Sequence, residues 1–269
     1  MNYSITREQC EKLKSFDCKR LSSDERFLRD IESFSCARSE ELERIIKNEA
    51  FEEDESLKKA YYLVLNKERD ILGYFSLQAS LLHRRFEEME QRQQDRILKE
   101  RIQEFKSKHK ITEDIDLLMQ ELQEKEKENS LNNRFSYINP DDRKSVSDVF
   151  PAIEIGHFCI NDMTNDYWAS LQLPEKIRPG VLFFWRFIVP KVLNISKYIG
   201  LEYLILKAAD NSDDLTLVNH YKNFMDFDEP EELKAVWPIP EFGCNLLCQD
   251  IAGLKKRMLS FWENFNAIE

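Results

Sequence analysis

The chain has 269 residues, 42% of them hydrophobic and 12% aromatic, with a net charge of −11 and only six glycines. The aromatic content excludes a disordered chain; the glycine count excludes collagen-like and low-complexity classes and leaves little for Gly-rich phosphate loops. The acidic balance argues against indiscriminate coating of nucleic acid but leaves room for a local basic face.

The length suggests one large domain or two small ones, with enough chain for a sizeable core. The six cysteines (Cys10, Cys18, Cys36, Cys159, Cys244 and Cys248) form no CxxC pair, and no histidine lies close to Cys244 and Cys248. They read as buried thiols of a reducing compartment, with no metal site. The opening MNYSITREQCEKLK has no apolar run, so no signal peptide is expected. The most apolar stretch, VLFFWRFIV (181–189), is interrupted by Arg186, stopped by Pro190 and too short to span a bilayer. A soluble cytoplasmic protein with no membrane partner follows.

In chain order, SEELERIIKNEA (39–50) opens with a Ser cap and acids, and spaces Leu42, Ile45, Ile46 and Ala50 as one helical face. YYLVLN (61–66) and ILGYFSLQAS (71–80), joined by the polar KERD, read as an antiparallel hairpin. From His83 to about Asn129 there is no Gly or Pro. Apolar residues there are sparse, and two antiparallel helices forming a projecting hairpin over 83–130 are expected. Residues 83–110 carry nine Lys/Arg against six Asp/Glu, and 113–128 carry seven acids against two lysines. That segment is either a solvated helical elaboration or an arm that binds a protein partner or substrate.

A polar connector leads to the strand PAIEIGHFCIND (151–162), then to a long loop, MTNDYWASLQLPEKIRPG. Residues 180–199 form an apolar helix expected to bend at Pro190, which cannot donate a hydrogen bond. LEYLILKAA (201–209) is a continuous apolar run suited to a central strand covered on both faces. Asp213 and Asp214 open a short helix through DDLTLVNHYKNF. A strand (242–248) and an amphipathic helix (250–267, within a C-terminal segment 250–269) close the chain. The order describes a single mixed α/β domain, 1–269, elaborated in its middle.

Four segments in this order resemble the GNAT superfamily of N-acetyltransferases, nearest to the compact acetyltransferases of bacterial toxin–antitoxin modules. They are FSCARSEELERIIKNEA, YYLVLNKERDILGYFSLQAS, PAIEIGHFCIND and IGLEYLILKAADNSDDLTLVNHYKNFMDF, which cover roughly 34–80 and 150–228. The resemblance implies a mostly antiparallel central sheet flanked by helices, in which the fourth and fifth strands splay and admit the pantetheine arm of acetyl-CoA as though it were an added strand. The admitting edge here is Phe158, Cys159 and Ile160.

The pyrophosphate is expected on backbone N–H groups at the start of the next helix, at Gly180 and Val181, with Arg178 as a phosphate-facing charge. The family's R/Q-x-x-G-x-G/A reads KIRPGVLFF here, without the first glycine and after an extended loop. By resemblance Tyr221, in LVNHYKNF, is the general acid that protonates the departing thiolate, although the family's following "GF" reads Met225-Asp226-Phe227. For a general base, Glu154 and His157 are the candidates, three residues apart and so on opposite faces of an ideal strand unless a bulge intervenes. Asp162 is a third, and Cys159 is not expected to act as a nucleophile.

The implied activity is transfer of an acyl group from an acyl-CoA, acetyl-CoA foremost, to an amine by direct attack. The acceptor is a generic amine or, as in the toxin branch, aminoacyl-tRNA; 178–207 holds five Lys/Arg against one acid. The other partners expected are a protein at the 83–130 hairpin and a second copy of the chain. The alternative is a GNAT-like scaffold without catalysis that works through its hairpin.

Overall fold

Alternating large apolar residues in two consecutive segments set the sheet's centre, and the flanking helices follow from where those residues need cover. The computed structural model describes residues 3–85, 146–174, 177–210, 212–230, 233–235, 244–263 and 265–268. The chain divides into two compact units, one of residues 1–82, 150–230 and 235–269, the other of 83–149 and 231–234. The first unit contains every candidate site residue. In the second, residues 83–85, 146–149 and 233–234 are described, all in strands. The expected helical hairpin thus lies, from residue 86 to 130, outside the described residues. His83, Arg84 and Arg85 are strand and not helix.

The described elements begin with β1 (Tyr3–Thr6), α1 (Arg7–Lys14), β2 (Asp17–Arg20) and α2 (Phe27–Asp30). They continue with α3 (Glu40–Asn48), α4 (Ala50–Glu55), β3 (Ala60–Leu65), β4 (Ile71–Arg85) and β5 (Val146–Ile160). Then follow α5 (Asn165–Ser170), α6 (Pro179–Phe183), a π-helical turn (Phe184–Ile188) and α7 (Val189–Ile195). The chain closes with β6 (Tyr203–Ala209), α8 (Thr216–Met225), β7 (Leu233–Ala235), β8 (Cys244–Asp250), α9 (Ile251–Glu263) and β9 (Phe265–Ile268).

The sheet runs β2-β3-β4-β5-β6-β8, while β1 pairs in parallel with β9 in a separate two-stranded sheet. Within the larger sheet β2/β3, β3/β4 and β6/β8 are antiparallel and β5/β6 is parallel. β4 and β5 are antiparallel too. Asn161 N–H donates to Leu72 O (3.0 Å), and His157 N–H donates to Ser76 Oγ (2.9 Å), so rising numbers on one strand meet falling numbers on the other. This is the mostly antiparallel mixed α/β architecture expected.

Helices cover both faces. On one, Leu13, Phe183, Phe184, Ile188, Val192, Val218 and Leu254 pack on Leu72, Phe75, Leu204 and Leu206. On the other, Phe27, Ile31, Phe34, Ile45 and Ile46 pack on Tyr61, Leu63, Tyr74 and Cys159. Each fully buried aromatic or aliphatic side chain contributes about 1.5–3 kcal/mol by leaving water.

The local signals explain the boundaries. Ser39 caps α3 as expected, accepting from Leu42 N–H (3.2 Å). The bend expected at Pro190 is taken up by the π turn just before it, where Val189 N–H reaches back to Phe184 O. The expected loop 162–179 instead contains a 3₁₀ turn at Asp162–Thr164 and the helix α5. Asn161 Oδ1 nucleates that turn by accepting from Met163 N–H (3.2 Å), and Trp168 packs edge-on to Phe16 at 5.6 Å. α8 starts later than Asp213, because Asp210 at the end of β6 accepts from Leu217 and Val218 N–H at 2.7 and 3.0 Å.

Asp54 is fully buried and ties three segments together, accepting from Arg20 Nε, Ser22 N–H and Tyr61 N–H, each at 2.8 Å. Replacing it leaves a guanidinium and two backbone donors without their acceptor. Asp54→Ala is expected to lower stability by about 3 kcal/mol. A urea unfolding curve displaced by less than a third of that amount would show that the three donors find other partners.

Candidate active site

The central geometric fact is a parting of two strands. β5 and β6 pair in parallel only from Ala152↔Tyr203 to Ile155↔Leu206. Beyond that β5 runs on to Ile160 beside β4, while β6 runs on to Ala209 beside β8. A cleft therefore opens between 156–160 and 207–209. Asn161 N–H points to β4, so by strand alternation the N–H and C=O of Phe158 and Ile160 point into the cleft. Cys159 turns its carbonyl toward β4, where a Cβ on Gly73 would lie only 2.6 Å from it and 2.7 Å from Phe183 Cε2. Glycine at 73 is what lets β4, β5 and α6 approach so closely.

The start of α6 faces the same place. A Cβ on Gly180 would make ordinary contacts with the Phe158 ring, at 3.5 Å, and with Met225 Cε, at 3.9 Å, so the start of α6 lies beside the β5 edge. Pro179 has no N–H, and Leu182 N–H is already bonded to Arg178 O (3.1 Å). The N–H groups of Gly180 and Val181 are the ones a helix start leaves without an intrahelical acceptor. Arg178 lies against α8, its guanidinium 5.2 Å from the Phe224 ring centre and its Nη1 3.3 Å from His220 Nδ1. Burial, then Arg178 and Arg38, holds the His220 imidazole below its ordinary pKa, which matches its role as acceptor to a guanidinium. The sequence reading passed over His220, although it directly precedes Tyr221.

Tyr221 packs on the same helical layer, its ring centre 6.3 Å from that of Phe227. Burial, reinforced by Cys159, pushes its hydroxyl up to about 12. The absent family glycine after this helix has a direct structural substitute: Asp226 takes the left-handed conformation (φ 59°, ψ 32°) that glycine normally supplies at a helix end. Phe227 is buried there, its ring centre 5.5 Å from that of Phe184.

The opposite face of β5 carries the base candidates. Ile153 and Ile155 face the helical layer of Phe183, whereas Tyr61 and Tyr74 are the neighbours of His157 and Cys159. The alternation slips by one residue at Gly156–His157, which brings Glu154 and His157 to one face; Gly156 shares it, 3.0 Å from Ser76 Oγ through a notional Cβ. Glu154 is committed to Lys207 Nζ (3.4 Å) and accepts from Ser80 Oγ (3.1 Å), with both charged side chains almost wholly buried. His157 stacks on Tyr61, its Nδ1 3.0 Å from Tyr61 Oη and 3.2 Å from Ser76 Oγ. Tyr61 in turn meets Glu53 at 2.6 Å.

Asp162 accepts from Ala37 N–H (2.6 Å) and so ties down the approach to α3. The Cys159 thiol lies 2.8 Å from Cys36 Sγ. That hydrogen bond holds Cys36 down, to about 7, and together with burial lifts Cys159 far above the thiol range. Cys159 thus turns its thiol to Cys36 and its carbonyl to β4. None of the six cysteines is in a disulfide. Among the described residues no group of three or more His, Cys, Asp or Glu could hold a metal, and no helix is long and apolar enough to cross a membrane.

No protein-family model matches the chain, and no curated protein matches it. Among solved structures it is similar to a mutant of the toxin AtaT bound to the C-terminus of the antitoxin AtaR: 11% identity over 90% of this chain and 98% of that one, TM-score 0.47. A mutant of KacT matches at 13% over 90% and 99%, TM-score 0.49. AtaT complexed with acetyl-methionyl-tRNAfMet matches at 15% over 91% and 99%, TM-score 0.45.

The left-handed Asp226 yields a direct test of the helix end. Asp226→Gly is expected to raise stability by about 0.5–1 kcal/mol, because glycine meets no Cβ penalty there. Thermal unfolding reads the gain, and a lower midpoint would mean that the Asp226 side chain holds the turn.

Proposed function

We propose that the protein is an acyl-CoA-dependent N-acyltransferase, with acetyl-CoA as the co-substrate. The parting of β5 and β6 after Ile155 and Leu206 is the observation that carries the reading. The residues fit the group: backbone polar groups of Phe158 and Ile160 line the cleft, and Gly180 lies beside the Phe158 ring. Phe158 and Ile160 would hold the pantetheine amides as an added strand, while Cys159 between them keeps its backbone on β4. Gly180 and Val181 N–H groups would take the pyrophosphate with Arg178 beside them, in place of the glycine pair missing from KIRPG.

Acyl-CoA supplies an activated thioester carbonyl. His157 takes the proton that the acceptor amine loses as its nitrogen bonds to the acyl carbon. Tyr221 gives its hydroxyl proton to the sulfur as the C–S bond breaks, and solvent restores it. Glu154, committed to Lys207, is the weaker base candidate. Tyr221 is raised to about 12, so it stays protonated across the neutral range, and no alkaline loss of rate is assigned to it below about pH 11. The acceptor is an amine. The resemblance to toxin-type acetyltransferases supports aminoacyl-tRNA, and the basic balance of 178–207 suits a tRNA backbone.

Calorimetry with acetyl-CoA tests the cofactor. Gly180→Ala should leave folding intact, since its Cβ makes only ordinary contacts, whereas Gly180→Trp should abolish binding, with thermal unfolding run beside it to separate lost binding from a lost fold. Absence of binding by the unmodified protein at millimolar acetyl-CoA would favour the non-catalytic scaffold. For catalysis, Tyr221→Phe should lower kcat by about 10²-fold with KM nearly unchanged. For the acceptor, expression of the unmodified protein should arrest growth, and Tyr221→Phe should relieve it; a harmless unmodified protein removes the aminoacyl-tRNA assignment.

A further inference from the structure

Cys36 and Cys159 are 123 residues apart in sequence, yet their sulfurs lie 2.8 Å from one another. A disulfide bond is about 2.05 Å long, so the two atoms are less than an ångström from bonding distance. Hydrogen bonds on both sides of the pair hold it in place. Ser35 N–H donates to Asn161 Oδ1 (3.1 Å), Asp162 N–H to Ser35 O (2.9 Å), and Ala37 N–H to Asp162 Oδ2 (2.6 Å). Cys36 N–H itself donates to Glu43 Oε2 on α3 (3.0 Å). Cys159 is fixed from the other direction, because its carbonyl is set against β4 beside Gly73. The residues flanking Cys36 are thus clamped to the residues that follow Cys159, and the sulfurs meet without a change of backbone.

The two thiols are chemically unequal. Cys159 S–H donates to Cys36 Sγ; that bond, with the N–H groups of Ser39 and Arg38, holds Cys36 down to about 7 against the effect of burial. The same bond and burial lift Cys159 far above the thiol range, so it keeps its proton. Burial pushes Cys18 and Cys248 up to about 12 and about 11. At neutral pH, therefore, Cys36 carries thiolate character beside a thiol that is ready to give a proton. Neither sulfur is sealed off: Cys36 is 5% and Cys159 6% exposed, and Ala37 and Arg38 form an exposed turn directly after Cys36. A thiolate paired with a second thiol is the arrangement that oxidises reversibly, whereas a solitary thiolate proceeds to higher oxidation states. In a reducing compartment such a bond is transient and reports the state of its surroundings.

We propose that Cys36 and Cys159 form a redox-modification site, at which hydrogen peroxide converts the dithiol into a disulfide joining the approach to α3 to the end of β5. The site does not rest on the acyltransferase reading, although the cross-link falls between Phe158 and Ile160 at the cleft.

The Cys36 sulfur, as thiolate, attacks one oxygen of the peroxide. An S–O bond forms as the O–O bond breaks, and the departing hydroxide takes up the proton that Cys36 released, giving water. Cys36 is then a sulfenic acid. The Cys159 sulfur attacks the Cys36 sulfur; the S–S bond forms, the S–O bond breaks, and hydroxide leaves with the Cys159 proton as a second water. The two sulfurs together lose two electrons and the peroxide gains them. A dithiol reductant reverses the change by exchange.

Peptide mapping of the full chain tests this. The reduced protein is treated with hydrogen peroxide at neutral pH, its remaining thiols are alkylated, and the fragments are identified by mass. A Cys36–Cys159 linked peptide should be the main oxidation product and should disappear on treatment with dithiothreitol. Cys159→Ala removes the second thiol and should leave Cys36 as a sulfenic acid that dimedone traps. Cys36→Ser should slow the oxidation of Cys159 by at least about tenfold, because the thiolate is lost.

The mapping on the unmodified chain needs no variant to fold. Recovery of Cys36 and Cys159 as alkylated thiols after peroxide treatment overturns the proposal and leaves the pair a packing contact. So does Cys36 joined chiefly to another cysteine, or carried on to the sulfinic acid while Cys159 stays a thiol. Failure of the unmodified protein to bind acetyl-CoA sinks the acyltransferase reading and leaves the linked peptide as evidence for this site.

Discussion

Everything at the candidate site depends on β5 and β6 parting company while each keeps a second partner. A strand that leaves its neighbour exposes backbone donors and acceptors, and burying those without partners costs about 1–3 kcal/mol apiece. Here the cost is limited because β5 stays bonded to β4 up to Asn161 N–H, and β6 stays bonded to β8 up to Ala209↔Cys244. Only the inner edges of the two strands give up their ladder. The result is a sheet with an edge in its interior, a surface fitted to accept an extended amide-bearing ligand.

The two faces of that cleft are built by different physics. On the helical side, Phe183, Phe184 and Val218 make a dry layer from which Tyr221 and Arg178 approach. The π turn contributes by placing Trp185 so that its Nε1–H donates to Phe224 O (3.1 Å), linking the helical segment that starts at Pro179 to the helix that carries Tyr221. On the other side a polar chain, Ser80–Glu154–Lys207 and Glu53–Tyr61–His157–Ser76, crosses a largely apolar layer. Buried polar groups of this kind are tolerable only when each finds a partner, and these do.

Much of the architecture was legible in the residues. The Ser39 cap, the hairpin of β3 and β4 and the doubly covered β6 carry strong local patterns, which alternation and capping report; the final helix does too, but it ends at Glu263 where 267 was expected, and 265–268 are the strand β9. The N-terminal segment was missed despite a signal: Thr6-x-x-Gln9 is a capping box, with Thr6 Oγ1 and Gln9 Oε1 each accepting the other's backbone N–H. The site was legible only where backbone supplies the chemistry. Tyr221 and the β5 edge follow from element order. The partnership of Glu53, Tyr61 and His157 joins three elements separated by about a hundred residues of chain, and no spacing rule registers that. Nor did composition show that Asp226 could stand where glycine is usual, because tolerance of a left-handed conformation is a property of one position.

The slip at Gly156 has a consequence beyond placing one histidine. In a regular strand, facing is a parity, and every residue's side of the sheet is decided by whether its number is odd or even. One surplus residue in β5 resets that parity midway. Upstream, the odd positions Ile153 and Ile155 belong to the helical layer; downstream it takes the even positions Phe158 and Ile160. The faces taken by His157 and Cys159 on one side and by Phe158 and Ile160 on the other are therefore set by a single insertion, without any change in the residue types around it. A chain of this design could exchange its reactive and its packing faces by gaining or losing one residue in β5, a shorter evolutionary step than substituting each side chain in turn.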